Sequence, residues 1–469
     1  MTQLNQYIKI KPFSGAMVGI IGLLSTTPLL AAINIGGGSI DVNVATNSNT
    51  PEAAVANALL KTGGVCETLQ ANTGRNTDEQ QLFDVCTALG FPGIVDETVT
   101  GPAYRAMSAR AMSAITSFSV HGLTTVNMDD IAKRLAALRK GSSTLRNKSA
   151  MIDFPQHSSD PQWALLANAT GGSAGVDEAD GLFDNRLSGF ITGANTQAKQ
   201  TETSTLAGYD SRSNSLTMGL DYRFRADLYA GVATRLVKGD MDLNGNGGSI
   251  DMRDTNLTFY SSYYPLDYFY LQGTLSVAQG KFDITRNVNF SINGQSFNEV
   301  ANSSPDGSNY GASIGGGMDF DLGGQGWSGS TNVNLIYLSS TIDGFTETSG
   351  GGFNLIVNEQ SIKSLILKTD AQLTKAISTS MGVIMPTITV SWNHEFKQKG
   401  EQVSAAFVVD PSQQFSYTTD DRDADYYSYA LGATMIFPGG LMGFLQYEAS
   451  VGITDYDQHA ISIGARKEF

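Results

Sequence analysis

Residues 214–224 read NSLTMGLDYRF, and the reading advances in steps of two. Leu216, Met218, Leu220, Tyr222 and Phe224 make one face, and Thr217, Gly219, Asp221 and Arg223 the other. Alternation of this kind marks a β-strand with one apolar and one polar side. Residues 254–264, DTNLTFYSSYY, repeat it: Leu257, Phe259 and Tyr263 alternate with Asn256, Thr258, Tyr260 and Ser262. Residues 268–278, YFYLQGTLSVA, set Phe269, Leu271, Leu275 and Val277 against Tyr270, Gln272, Thr274 and Ser276. A soluble sandwich alternates as well, so the fold is decided by the sum of segments rather than by one.

Twelve such segments follow one another, starting near Leu187, Ser215, Asp227, Asn256, Tyr268, Tyr310, Trp327, Leu365, Gly382, Tyr426, Leu441 and His459. Most run for about 9–12 residues, which is what a tilted strand needs to cross a bilayer. After every second segment the connection is tight: RAD, PLD, GGQG, STS and PGG. The others are long and polar, as in 397–423, KQKGEQVSAAFVVDPSQQFSYTTDDRD. Short turns at one end and long loops at the other are the pattern of an outer-membrane barrel. The expected fold is therefore an all-β transmembrane barrel of about twelve antiparallel strands over residues 185–469. A closed barrel is also the one sheet that pairs every backbone group within hydrocarbon.

Composition agrees with this. Charged residues are 16% of 469, Gly is 51, Tyr 18 and Phe 22. A disordered chain carries more charge and fewer aromatics. After residue 35 there is no apolar run of the length a membrane helix needs. The net charge of −15 argues against nucleic acid as a partner. Sorting each segment by face turns Asp221, Arg223, Arg235, Asp319, Lys368, Asp370, Glu395, Glu448, Arg466 and Glu468 towards the lumen. Both signs occur, so no ion selectivity follows. Tyr263, Tyr264, Trp392, Tyr427, Tyr429 and Phe437 are expected in interfacial girdles.

The first 32 residues read as a signal peptide: Lys9 and Lys11, an uncharged run from Phe13, then Ala31 or Ala32 as the exit. The alternative for this run is an N-terminal membrane anchor. From Pro51 to Lys148 apolar residues recur at three- and four-residue spacing, so residues 33–148 are expected to be a small helical region. Thr77 with Gln80 suggests a capping box and Gly90 a helix stop. Cys66 and Cys86 flank that turn, and a disulfide between them would staple two antiparallel helices in the oxidising compartment the leader implies. Acids outnumber bases eight to two over 41–100, and bases outnumber acids eight to two over 101–148. Polar, small residues 149–184 read as a linker.

These residues also carry a resemblance. GLFDNRLSGFITGANT, the hairpin AGYDSRSNSLTMGLDYRFRADLYAGVATRL and the final GFLQYEASVGITDYDQHAISIGARKEF resemble the opening and ending of the autotransporter β-domain of type V secretion. The resemblance implies a twelve-stranded barrel in a Gram-negative outer membrane, in contact with lipid, barrel-assembly machinery and periplasmic chaperones. It implies that Phe469 belongs to the assembly signal, although Lys467 stands where a second aromatic is frequent. It also implies a segment in the lumen, for which Lys133–Lys140 and the stretch around Trp163–Asn168 are the candidates. CETL, EQQLFDVC and AKRLAALRKG are similar to a helical segment found ahead of some such barrels.

No enzyme is expected. Two G-x-S-x-G strings, Gly171–Gly175 and Gly311–Gly315, lack the strand–elbow–helix context that the motif requires. Four histidines, His121, His157, His394 and His459, form no metal-site spacing, and no cofactor is implied. The functional expectation is a barrel that anchors or translocates its own short helical segment. The alternatives are a pore or passive transporter gated by that segment, and an adhesin binding an unknown cell-surface ligand through loops 279–309 and 397–424.

Overall fold

The computed structural model describes residues 49–91, 97–119, 186–323, 325–438 and 440–469. The expected signal peptide, the expected linker 149–184, the lumen candidates Lys133–Lys140 and Trp163–Asn168, Gly171–Gly175, His121 and His157 lie outside the described residues. Among the described residues five helices come first: α1 Pro51–Leu60, α2 Val65–Ala71, α3 Thr77–Ala88, α4 Glu97–Met107 and α5 Arg110–Phe118. Pro at the first helical position and Thr50 as N-cap start α1, the Thr50 hydroxyl accepting from Ala53 N–H. The run AAVANALLKTGGVCETL, continuous in its periodicity, is broken into α1 and α2 at Gly63, whose φ of +71° favours glycine.

The capping box of α3 sits one residue earlier than Thr77 and Gln80 suggest. The Asn76 side chain accepts from Glu79 N–H, and the Glu79 carboxylate accepts from Asn76 N–H. Asn is as good an N-cap as Thr, and the acid three residues on completes the reciprocal pair. Gly90, at φ +96°, ends this helix as expected. Cys66 and Cys86 form a disulfide that joins α2 to α3.

Twelve strands then follow: β1 Leu187–Gln200, β2 Tyr209–Arg225, β3 Leu228–Leu243, β4 Gly248–Leu266, β5 Phe269–Ile292, β6 Asp306–Asp321, β7 Trp327–Ile342, β8 Gln360–Lys375, β9 Gly382–Glu395, β10 Asp425–Ile436, β11 Met442–Val451 and β12 Tyr456–Glu468. Each pairs antiparallel with the next, and β1 pairs with β12 from Ser188–Glu468 to Gln200–Tyr456, so the sheet closes. Outer and inner faces are inverted relative to a soluble protein. Leu220, Phe259, Leu275, Ile314, Val390 and Ile463 are exposed, while Asp221, Arg235, Asn256, Asn334 and Arg466 are buried. Large lumen-facing aromatics seat over glycines of the neighbouring strand. A Cβ at Gly231 would stand 2.4 Å from the Tyr260 ring, and one at Gly317 would stand 2.4 Å from the Tyr270 hydroxyl.

Two sequence expectations are corrected. Tyr264 faces inward with Tyr229, Tyr260 and Tyr270, because consecutive strand residues point to opposite sides and Tyr263 takes the outside. The strands are also longer than the bilayer requires. β4 starts at Gly248 rather than near Asn256, β5 continues to Ile292, and Gln295–Ser303 folds back on it as a hairpin. The stretch 397–423 holds a further hairpin, Gln402–Phe407 with Asp410–Thr418, which joins a small sheet with Leu355–Val357 and Phe345–Thr346. The strand extensions and these hairpins form a collar at the end opposite the tight turns.

The Cys66–Cys86 disulfide closes a short loop, and its removal should cost the helical unit roughly 3 kcal/mol. The double variant Cys66→Ser/Cys86→Ser should lower the denaturant midpoint of helix loss, with the heat-induced gel shift of the barrel unchanged. Unchanged helix stability in far-ultraviolet dichroism would contradict a stapling role.

Candidate functional site: the lumen and its outer mouth

Within the membrane-spanning part the inner wall is polar because each lipid-facing apolar residue has lumen-facing neighbours one step away on its strand. The ten charged residues sorted inward by sequence all occupy inner-face positions of their strands, in separate groups. Near the turn end, along the β12–β1–β2 seam, Ser188 Oγ donates to Asp221 Oδ1 at 2.5 Å, and Tyr260 OH donates to Asp221 Oδ2 at 3.2 Å. Arg466 donates to Ser188 Oγ at 3.4 Å and pairs with Glu468. Arg223 and Asp319 also lie towards this end, on β2 and β6. Halfway up, Asn332 Nδ2 donates to Asp370 Oδ2 at 3.2 Å, with Lys368 next to it on β8. Arg235 donates to Ser215 Oγ at 3.0 Å, and Gln446 donates to Glu448. At the loop end Glu395 accepts from Ser364 Oγ, from Leu365 N–H at 3.0 Å and from Lys397 N–H at 2.7 Å. Acids and bases neutralise one another or take hydroxyl and amide donors, an arrangement that lines a polar channel. No three His, Cys, Asp or Glu residues among the described residues come together to hold a metal ion.

The outer mouth is where sequence reasoning missed the decisive residues. Above the lipid band the inner faces become apolar, with Val237, Met241, Ile250, Met252, Phe282 and Ile284 buried. They share one core with Val55, Leu59, Leu69, Leu82, Met107 and Ile115 of the helices. Every residue of α5 is buried. Its polar side chains are matched by the collar: Ser117 Oγ donates to Gln200 Oε1 at 2.9 Å, and Ala207 N–H donates to Ser113 Oγ at 3.0 Å. Tyr417 OH, from the 402–418 hairpin, donates to the Ala109 carbonyl at 3.0 Å. Burial pushes the Tyr209 and Tyr417 phenols well above their ordinary range, so both remain neutral.

Three arginines fasten the helices to the collar, and the exposed Arg105 of α4 does so with its Nη1 2.7 Å from Glu202 Oε1. Arg110 Nη1 lies 2.8 Å from Glu52 Oε1, and its Nη2 lies 2.9 Å from Glu202 Oε1; Nη2 also donates to the Thr203 and Leu206 carbonyls. Arg286, buried on β5, pairs with the buried Glu347 at 2.6 Å and donates to the carbonyls of Ala106 on α4 and of Phe353. The sequence gives no signal for Arg286, which falls in the stretch 279–309 that reads as a long loop.

Phe469 lies on the outer face, half exposed, its N–H donating to the Leu187 carbonyl at 2.9 Å. Gly311–Gly315 lies inside β6, and His394 and His459 stand on the outer face of the barrel.

The family model for the autotransporter β-domain matches residues 189–448. Outer membrane protein B of Rickettsia rickettsii is 26% identical over 262 residues, 54% of this chain and 15% of that protein. Lipase 1 of Photorhabdus luminescens is 24% identical over 310 residues, 65% of this chain and 45% of that protein. The chain thus spans less than half the length of either relative. Among solved structures, the translocator domain of the autotransporter NalP from Neisseria meningitidis is similar at a TM-score of 0.48. It is 16% identical, over 61% of this chain and 90% of that chain.

Removing one partner of a buried ion pair strands the other charge, at about 3–5 kcal/mol. Glu347→Gln should therefore loosen the helical unit from the collar. Limited proteolysis in detergent should cleave between Pro51 and Phe118 at least about tenfold faster, with the barrel intact. An unchanged cleavage rate would show that the Arg286–Glu347 pair does not hold the unit down.

Proposed function

The chain belongs to the autotransporter β-domain family, and from that premise we propose that the barrel carries its own helical segment to the cell surface and keeps it there as a cap. The observation that supports this is the placement of two points in the chain. Ser119, at the end of α5, lies at the collar end, whereas Arg186 enters β1 at the end of the tight turns. Short turns face the periplasm and long connections face outward in barrels of this kind. On that orientation the helices are outside, and β1 begins on the periplasmic side. The barrel is closed all round, so its lumen is the polar route between the two sides.

Retention follows from the energetics of the mouth. The helices share their apolar core with the collar, and the Arg110 and Arg286 contacts add charge-assisted hydrogen bonds. The reading is thus an outer-membrane translocator and anchor with a resident exported cap. A pore is disfavoured because α5 and its neighbours fill the collar. Adhesion through 397–424 has less surface to use, since one face of the 402–418 hairpin is engaged by α1 and by Ala109.

A protease site or epitope inserted at the exposed Lys61–Gly63 turn should be cut or labelled in intact cells. Full protection there, with labelling restored only after the outer membrane is permeabilised, would defeat the export reading. In planar bilayers the full chain should show little conductance, and deletion of residues 49–119 should raise it severalfold. A large stable conductance of the full chain would favour the pore instead.

A further inference from the structure

The outer edge of the lipid-facing band differs between the two halves of the barrel. On β6, β7, β9 and β10 it ends in exposed aromatics, Tyr310, Tyr337, Trp392 and Tyr427. On β3, β4 and β5 it ends in bases. Lys238, Arg253 and Lys281 stand directly across from one another in the ladder, all exposed and all on the outer face. The next outward-facing row on the same three strands, two residues further from the membrane, is Asp240, Asp251 and Asp283. Like charges side by side on adjacent strands are unfavourable in a sheet. Here two such rows lie one above the other, and one ion pair joins them, Arg253 Nη2 to Asp283 Oδ2 at 3.7 Å.

The depth of the basic row is set by the apolar residues beneath it. Lys238 follows Leu236 by one outward step, and Arg253 and Lys281 follow Leu257 and Val277 by two. One outward step is about 7 Å along a strand. Long basic side chains just beyond the hydrocarbon edge place their charges at headgroup level, with their stems along the apolar wall.

We propose that Lys238, Arg253 and Lys281 form a binding face for the phosphate of an anionic lipid in the outer leaflet. Adjacent strands are about 4.8 Å apart, so three cations fall within the span of one or two phosphate groups. The aspartate row above fixes the side from which the anion comes. A soluble polyanion approaching from water meets three carboxylates first, whereas a lipid phosphate arrives from below and meets the three bases, with Asp306 of β6 beside Lys281 at the end of their row. The aromatic half of the rim, lacking such a cluster, takes lipid without regard to headgroup charge. This rests on the outer-membrane placement of the barrel.

The test uses the full chain in phosphatidylcholine vesicles that contain a photoactivatable lipid, either phosphatidic acid or phosphatidylcholine. Phosphatidic acid should label the β3–β5 wall about tenfold more than the neutral lipid does, and the β7–β10 wall equally. Lys238→Gln/Arg253→Gln/Lys281→Gln should abolish the preference, and the charge-keeping Lys238→Arg/Arg253→Lys/Lys281→Arg should retain it. Inorganic phosphate at millimolar concentration should not compete. Equal labelling of both walls by the two lipids in the unmodified protein overturns the proposal without recourse to any variant. Full competition by inorganic phosphate assigns the face to a soluble anion and overturns it too. A chain that enters no vesicle, shown by loss of the heat-induced gel shift, overturns the membrane placement and the proposal with it.

Discussion

Hydrocarbon offers no partner to a backbone N–H or C=O, so a sheet that crosses it has to return to itself. In this chain the return is made by β1 against β12, paired without interruption from Ser188–Glu468 to Gln200–Tyr456. The polar lumen, the apolar belt and the collar all follow from that closure. With the edges paired, each strand has an inside and an outside, and a residue's parity alone fixes which it sees. Asp221 and Arg466, distant in sequence, meet Ser188 between them because β1 is flanked by both β2 and β12.

Parity was legible in the sequence, and so were the twelve strands, whose starting points lie within about eight residues of those observed. The upper part of the strands was not legible, for a physical reason visible on β3. Up to Leu236 the outer residues are apolar apart from Thr234; beyond it they are Lys238, Asp240 and Asp242, while Val237, Met241 and Leu243 turn inward. The alternation keeps its phase and the chemistry of its two faces is exchanged. Read for an apolar outside, such a segment ends at the exchange and the remainder passes for a polar loop. What compels the exchange is the change of surroundings: lipid outside and a polar lumen inside below, water outside and helices inside above.

The helices were legible as helices, and Cys66 with Cys86 as a pair, because both signals are local. Their docking place was not. Arg110 finds Glu52 and Glu202 at separations of 58 and 92 positions, and Arg286 finds Glu347 at 61. No periodicity encodes such distances. Arg286 further lies in a stretch that reads as a loop, so its role could be found only once β5 was seen to continue through it. The ten charges sorted into the lumen describe the channel, and the arginines that close its mouth came from elsewhere.

The collar and the helices are therefore parts of one structure. A helix buried on every side needs partners on every side, and α5 takes its own from β1, β2 and the 402–418 hairpin as well as from its sister helices. Val237, Met241, Ile250 and Phe282 would be apolar residues lining an open mouth if the helices were absent, and Leu59, Met107 and Ile115 would lose part of their cover without the collar. Each side thus hides apolar surface that the other would leave in water, at about 25 cal/mol per Å². The stability of the cap is consequently conditional on the barrel, and in this arrangement severing the chain between Ser119 and Arg186 would not by itself release the helices. Release would also require the apolar contacts, the Arg110 fork and the Arg286 bond to the Ala106 carbonyl to open together.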